Sequence, residues 1–383
     1  MKKVILIPDS FKGTMSSAEV CEIMRRAILA HFPDAETVAV PVADGGEGSV
    51  DAFLTALGGE KISCTVTGPH GHPVESFYGL IHGGKTAVIE MAAAAGLPQM
   101  GDALDVLGAT TYGVGELMLR AAKAGAEKII MGLGGSATND GGCGAAAACG
   151  VKFYDADGNV FVPTGGTLSN VAKIDASGLD SALKGITIET MCDIDNPMYG
   201  ESGAAYVFAP QKGADTQEKI TILDDGLRHL AAVIARDLNI SVDTIPGAGA
   251  AGAMGAGMVA FFASKLKMGI ETVLDTVEFD TLLENVDLVL SGEGRIDSQS
   301  IRGKVVVGIA RRTKKQNVPL IAIVGDIGTK NDDGDMTPVY AEGVTAVLSI
   351  NRIAVPFKEA KPRAKNDLYH TVDDLMRVLK IGR

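Results

Sequence analysis

The chain has 383 residues, room for two domains at roughly 150 residues each. Hydrophobic residues make up 46% and charged residues 21%, which excludes a mainly disordered chain; the net charge of −12, with no Lys/Arg cluster interleaved with aromatics, excludes nucleic acid as the main partner. Glycine is in excess, 48 residues against 14 prolines and without a triplet period, so a collagen-like chain is excluded and tight backbone turns close to a ligand are expected.

Val4–Ile7 reads as a buried strand. The helix after it is marked by Ser16 and Glu19, spaced as a capping box, and by Val20, Ile23, Met24, Ala27 and Ile28 on one face. Val38–Val42 is predicted as a second strand and Val50–Leu57 as a second helix, stopped by Gly58 and Gly59. Such tight strand–helix–strand spacing indicates parallel βαβ units. From Lys61 the pattern changes, and Ile62–Thr67, Glu75–Ile81 and Thr86–Met91 alternate as antiparallel strands do. A helix at Val114–Ala122 and a strand at Lys128–Met131 follow. Asp-Ala-Asp-Gly-Asn within Tyr154–Phe161 signals a hairpin. Strands are expected at Thr187–Met191 and Ala205–Phe208, and helices at Gln217–Asp237 and Gly252–Leu266.

From Val286 the opening pattern returns, with strands at Asp287–Leu290, Pro319–Val324 and Thr345–Ile350 and a helix near Val305–Thr313. A terminal helix carries Leu368, Val372, Leu375, Met376 and Leu379 on one stripe. The expected fold class is α/β with two α/β domains. Residues 1–62 plus 288–383 would form a discontinuous parallel domain, Rossmann-like or flavodoxin-like. Residues 63–287 would form an inserted mixed α/β domain, with the active site in the cleft.

The five cysteines are odd in number, widely spaced and without a CxxC pair, fitting neither a disulfide framework nor a zinc site. The apolar run Val4–Ile7 is too short for a signal-peptide core. The uncharged stretch Ile245–Ala263 is rich in Gly and Ala and contains Pro246, which argues for a packed helix rather than a membrane span. A cytoplasmic protein with no membrane partner is expected.

Predicted strands run straight into polar, mostly glycine-rich loops: ILIPDSFKG (Ile5–Gly13), VPVADGGEG (Val40–Gly48), IIMGLGGSATNDGG (Ile129–Gly142), ETMCDIDNP (Glu189–Pro197), LVLSGEGRID (Leu288–Asp297) and IAIVGDIG (Ile321–Gly328). Ligands of open parallel sheets bind beyond the carboxyl ends of the strands, so these loops are expected to share an active site. In Gly132–Gly142 the glycines can expose successive N–H groups. Ser136, Thr138, Asn139 and Asp140 are expected to open an Ala-rich helix whose N-terminus attracts phosphate. Gly132, Gly134 and Ala137 also fit a dinucleotide fingerprint loosely, although Asp155 and Asp157 further on are more simply turn formers.

The six histidines avoid the glycine loops, which demotes histidine-base chemistry. The loops carry carboxylates and cations instead: Asp9, Lys12, Asp44, Glu47, Asp140, Asp193, Asp195, Glu293, Arg295, Asp297 and Lys304. Phosphoryl transfer needs this inventory. Mg2+ takes one or two carboxylates plus phosphate oxygens, a carboxylate orients the attacking hydroxyl, and Lys or Arg offsets charge on the moving group. Lys212, in Ala-Pro-Gln-Lys-Gly, is either such a cation or an ordinary solvated charge.

At these loops the sequence resembles the type I glycerate kinase family over nearly its full length. The motifs are DSFKG at Asp9–Gly13, ADGGEG at Ala43–Gly48, GLGGSATNDGG at Gly132–Gly142, CDIDNP at Cys192–Pro197, VFAPQKGA at Val207–Ala214, PGAGAAG at Pro246–Gly252 and GEGRID at Gly292–Asp297. The resemblance implies ATP- and Mg2+-dependent phosphorylation of D-glycerate, usually on the 2-hydroxyl, giving 2-phosphoglycerate rather than 3-phosphoglycerate. Two places depart from the pattern: Ser300, where Thr is common, and Asp326 within Gly325–Gly328, where small residues are common.

Within that reading Gly134, Gly135, Ser136 and Asn139, with Asp140 beside them, are assigned to the nucleotide phosphates. Asp193 and Asp297 are assigned to the metal, Lys12 to the transferred group, and Asp44 or Asp193 to the attacking hydroxyl. Ser10, Arg295 and Lys304 are the candidate glycerate contacts. A homodimer is the assembly considered. The competing readings are an NAD(P)-dependent dehydrogenase of a small hydroxy acid, using the Gly132 loop, and a non-catalytic binding protein for small acids.

Overall fold

The computed structural model describes all residues except 44, 298–299, 301–303, 329–334 and 382–383. The chain divides into two compact units. Met1–Ala43, Thr55–Leu57 and Ile270–Arg383 form the first, and Asp44–Leu54 with Gly58–Gly269 the second. In chain order the strands are β1 (Lys3–Pro8), β2 (Glu36–Ala39), β3 (Glu60–Thr67), β4 (Pro73–Ile81), β5 (Thr86–Glu90), β6 (Lys128–Gly132) and β7 (Lys152–Tyr154). There follow β8 (Val160–Phe161), β9 (Lys173–Asp175), β10 (Thr187–Met191), β11 (Lys265–Lys267), β12 (Leu288–Ile296), β13 (Leu320–Ile327) and β14 (Ala346–Ser349).

The sheet of the first unit has the order β14-β13-β12-β1-β2 and is parallel throughout. Counted within the unit this is the flavodoxin-like 2-1-3-4-5 arrangement, in which the strand order reverses between the first and third strands. That place falls between β1 and β12, where Val4 lies opposite Leu288 and Pro8 opposite Gly292. The helix Ser17–Leu29 begins at the expected capping box, with Ser16 and Glu19 bonded reciprocally. Its buried face and that of the terminal helix Ala364–Lys380 close one core with Val4, Leu6, Leu288, Leu290, Ile321 and Ile323. Full burial of each such aliphatic side chain is worth about 1.5–3 kcal/mol before chain entropy is counted.

In the second unit the main sheet runs β11-β10-β6-β5-β4-β3. β3, β4 and β5 pair antiparallel, as the alternation predicts, and β5, β6, β10 and β11 pair parallel. A small antiparallel sheet, β8-β7-β9, carries the predicted hairpin, where Asp155 Oδ1 accepts hydrogen bonds from Asp157 N and Asn159 N.

Two elements differ from expectation. Ala205–Phe208 is not a strand but part of the helix Ala204–Phe208. Its amides bond back along the chain, as Val207 N does to Gly203 O at 3.2 Å, and only its alanine face is buried while Tyr206 and Val207 are exposed. The helix expected at Gly252–Leu266 is found within Ala250–Phe262, where Ala251, Gly252 and Ala253 are left-handed and precede the helix proper; it stops at Ala263, whose φ is +50°, and β11 begins at Lys265. Among the described residues no helix is long and apolar enough to cross a membrane.

Candidate active site

The turn after β6 lies against the backbone of residues 45–46. Gly134 N donates to Gly45 O at 2.9 Å. A Cβ at Gly132 would stand 2.3 Å from Gly45 O, and one at Gly134 would stand 2.5 Å from Gly46 Cα. These two glycines are thus required for backbone-to-backbone packing, quite apart from any ligand.

The helix after this turn is Cys143–Ala148, and its first amides are already occupied. Asp140, fully buried, accepts from Gly142 N at 3.0 Å, Gly144 N at 3.2 Å, and Thr111 N and Oγ1 at 2.8 Å each. Thr111 Oγ1 in turn accepts from Ala145 N at 2.9 Å. Burial raises the Asp140 carboxyl above its ordinary value, and these hydrogen bonds only partly oppose the rise. The place expected to attract a phosphate is therefore filled by an internal carboxylate. Asn139 is fully buried as well, with neither atom of its side-chain amide hydrogen-bonded.

Gly134, Gly135 and Ser136 do reach a pocket of about 260 Å3, which Asp193, Lys212 and Ala251 also line. Lys212 ends the short Pro210–Lys212 turn and is only 2% exposed. Its Nζ donates to Ser136 Oγ at 2.7 Å and to Thr138 O at 2.9 Å. Burial pulls its ammonium down to about 7, and the nearby Asp140 charge acts in the opposite direction. Asp193 follows β10 and is half-buried, its Oδ1 accepting from Gly269 N at 2.6 Å. At the rim Ala251, Gly252 and Ala253 have φ of +56°, +67° and +64°. A Cβ at Gly252 would stand 2.0 Å from Thr138 O, so the left-handed turn brings this rim onto the Ser136–Asn139 segment. For the two alanines that conformation costs about 1–2 kcal/mol each.

In the first unit a cavity of about 470 Å3 lies beyond the carboxyl ends of β1, β12, β13 and β14, lined by Lys12, Arg295, Asp326 and Asn351 among others. The Arg295 guanidinium lies across Gly328, where a Cβ would come within 2.2 Å of it, and stands 3.8 Å from the Asp326 carboxylate. That pairing accounts for an acid at 326.

Glu293, on β12, has the most perturbed environment of this unit's strand ends. It is 7% exposed, and its Oε1 is buried without a hydrogen-bond partner. Burial raises its carboxyl to about 7; a hydrogen bond with Ser300 and the Lys304 charge lower it, while Asp9 and Asp297 raise it further. Asp297 and Ser300 bond each other through Asp297 N and Ser300 Oγ at 3.2 Å, and Ser10 N donates to Asp9 Oδ1 at 2.6 Å.

Of the residues singled out in the sequence, Gly134, Gly135, Ser136 and Asp193 thus share a pocket of the second unit. Lys12 and Arg295 share the cavity of the first, and Asp297 and Lys304 act on Glu293. Asn139 and Asp140 lie within the interior, and Asp44 lies outside the described residues. Sequence reasoning gave Glu293 no role of its own and left Lys212 open; the charge was visible in both, the burial was not. Among the described residues no group of three or more His, Cys, Asp and Glu is placed to hold a metal ion by itself.

Residues 4–380 match the model of the glycerate kinase family. The chain is 46% identical to a glycerate kinase of Bacillus cereus, over 99% of this chain and 98% of that protein. It is 43% identical to the glycerate 2-kinase of Escherichia coli, with the same coverage. A crystal structure of a glycerate kinase 2 from Salmonella typhimurium LT2 superposes with a TM-score of 0.87 at 43% identity, covering 100% of this chain and 99% of that one. With the motif-bearing loops at the strand ends and a family match spanning both units, the chain belongs to the glycerate kinase family.

Proposed function

We propose that this chain transfers the γ-phosphoryl group of ATP to the 2-hydroxyl of D-glycerate, giving 2-phosphoglycerate and ADP. Family membership supports the reaction class, and the name of the Escherichia coli relative supports the 2-position. The observation that carries the reading is the pocket of the second unit, where a buried ammonium, a hydroxyl and a carboxylate (Lys212, Ser136 and Asp193) converge beyond β6 and β10.

Phosphoryl transfer asks the protein mainly for positioning and charge. Lys212, held by Ser136 Oγ and Thr138 O, offers positive charge in a site shielded from water, where it is worth more than in solvent. The exposed backbone of Gly135 offers a further donor beside Gly134, whose own N–H is taken by Gly45 O, and Lys12 offsets charge on the group in transit. Asp44 or Asp193 orients the 2-hydroxyl and takes its proton as the oxygen–phosphorus bond forms and the bond to the β-phosphate oxygen breaks. Ser10, Arg295 and Lys304 are our candidates for the carboxylate of the acid. Asp193 and Asp297 are our candidate carboxylates for Mg2+, an ion that takes one or two protein carboxylates beside phosphate oxygens and would neutralise phosphate charge when bound.

Incubation with ATP and D-glycerate tests the reading through ADP formation that depends on the acid. Hydride transfer with NAD(P), in the absence of ATP turnover, would replace it with the dehydrogenase reading.

A further inference from the structure

The cavity of the first unit is too large to be explained by the acid. At about 470 Å3 it falls within the roughly 300–1,000 Å3 of sites for drug-sized ligands, and a three-carbon acid would leave most of it empty. It opens beyond the carboxyl ends of four adjacent parallel strands, at the β1/β12 junction where the strand order reverses. Its lining is mixed: Phe11 and Phe357 are aromatic, Lys12 and Arg295 are cations, and Asp326 and Asp367 are acids. Phe357, on the short helix Phe357–Ala360, is 67% exposed, an aromatic face left open toward solvent at the cavity. Asn351, also in the lining, offers both a donor and an acceptor. A flat aromatic ring system with a mixed donor–acceptor edge, joined through a sugar to an anionic tail, matches this mixture of aromatic, polar and charged groups; a small acid uses only the cations.

We propose that this cavity takes the nucleoside of ATP, with the base against Phe357 and the phosphate end directed toward Lys12. The inference rests on the ATP-dependent reading above and adds where the base and ribose bind. Stacking on an aromatic face is sequence-tolerant and polar-edge contacts then fix orientation, so the cavity would recognise the nucleoside itself and not only its charge.

The chain contains no tryptophan, so Phe357→Trp places a single indole at the cavity. We expect its emission to change saturably with ADP and with adenosine, and to stay constant with tripolyphosphate or D-glycerate alone. Phe357→Ala should raise KM for ATP roughly tenfold while KM for glycerate stays within about twofold. Because the side chain is mostly exposed, both substitutions leave the core intact. Absence of an indole response to adenosine and ADP overturns the assignment whatever the turnover, as does a response to glycerate or tripolyphosphate in place of the nucleoside. If adenosine and ADP are sensed but glycerate is not phosphorylated, the nucleoside site stands and the glycerate kinase reading fails.

Discussion

Lys212 Nζ lies 2.7 Å from Ser136 Oγ across a separation of 76 residues, so the Gly134–Ser136 turn is fastened to a buried ammonium. Desolvation makes that ammonium easy to deprotonate and would be offset by an arriving anion. In the free enzyme the group titrates near 7 instead of 10.5, so kcat/KM should fall as pH rises through about 7. The corresponding limb in kcat should lie at higher pH, because a bound anion favours the charged form. Lys212→Met should cost at least about 100-fold in kcat/KM and abolish that limb, with Lys212→Arg retaining more activity. A limb that persists unchanged in Lys212→Met would assign the titration elsewhere.

Glu293 predicts a pH dependence of stability. Its folded value, about 7, lies above the ordinary 4.5, so the stability it contributes is fully present below about 4.5 and is lost as pH rises through about 7. Glu293→Gln mimics the protonated acid. Relative to wild type it should gain stability between pH 5 and pH 8, on the order of 3 kcal/mol across the window. Denaturant midpoints at both pH values, without nucleotide or divalent cation, measure this; a difference between the two proteins that does not vary with pH would contradict it.

The charged residues placed in the chemistry should matter individually. Lys12→Ala and Asp193→Asn are each expected to lower kcat by more than about tenfold, equivalent to about 1.4 kcal/mol of barrier. Smaller losses in both variants, with thermal midpoints unchanged, would remove the two residues from phosphoryl transfer.

Much of the fold was legible because it rests on local rules. Ser16 and Glu19 announce a helix start by spacing alone, and the alternation of residues 62–91 announces antiparallel pairing. Ala205–Phe208 was not legible, since a short run of Ala, Tyr, Val and Phe suits a strand as well as a helix and only its burial decides. The site divides in the same way. Charges at strand ends can be read from letters, but Asp140 and Lys212 acquire their properties from burial, the first becoming a brace for the Cys143–Ala148 helix and the second a labile cation. Glycines are ambiguous for a related reason: Gly132 and Gly134 looked like an approach to phosphate, and their missing side chains first make room for Gly45 and Gly46.

The most direct test of the account is phosphorus NMR of the product formed from ATP and D-glycerate. The account predicts loss of the ATP γ resonance and growth of the doublet of a phosphate ester on the secondary carbon, 2-phosphoglycerate. A triplet from 3-phosphoglycerate, or an ATP spectrum that stays unchanged with active protein present, would contradict it.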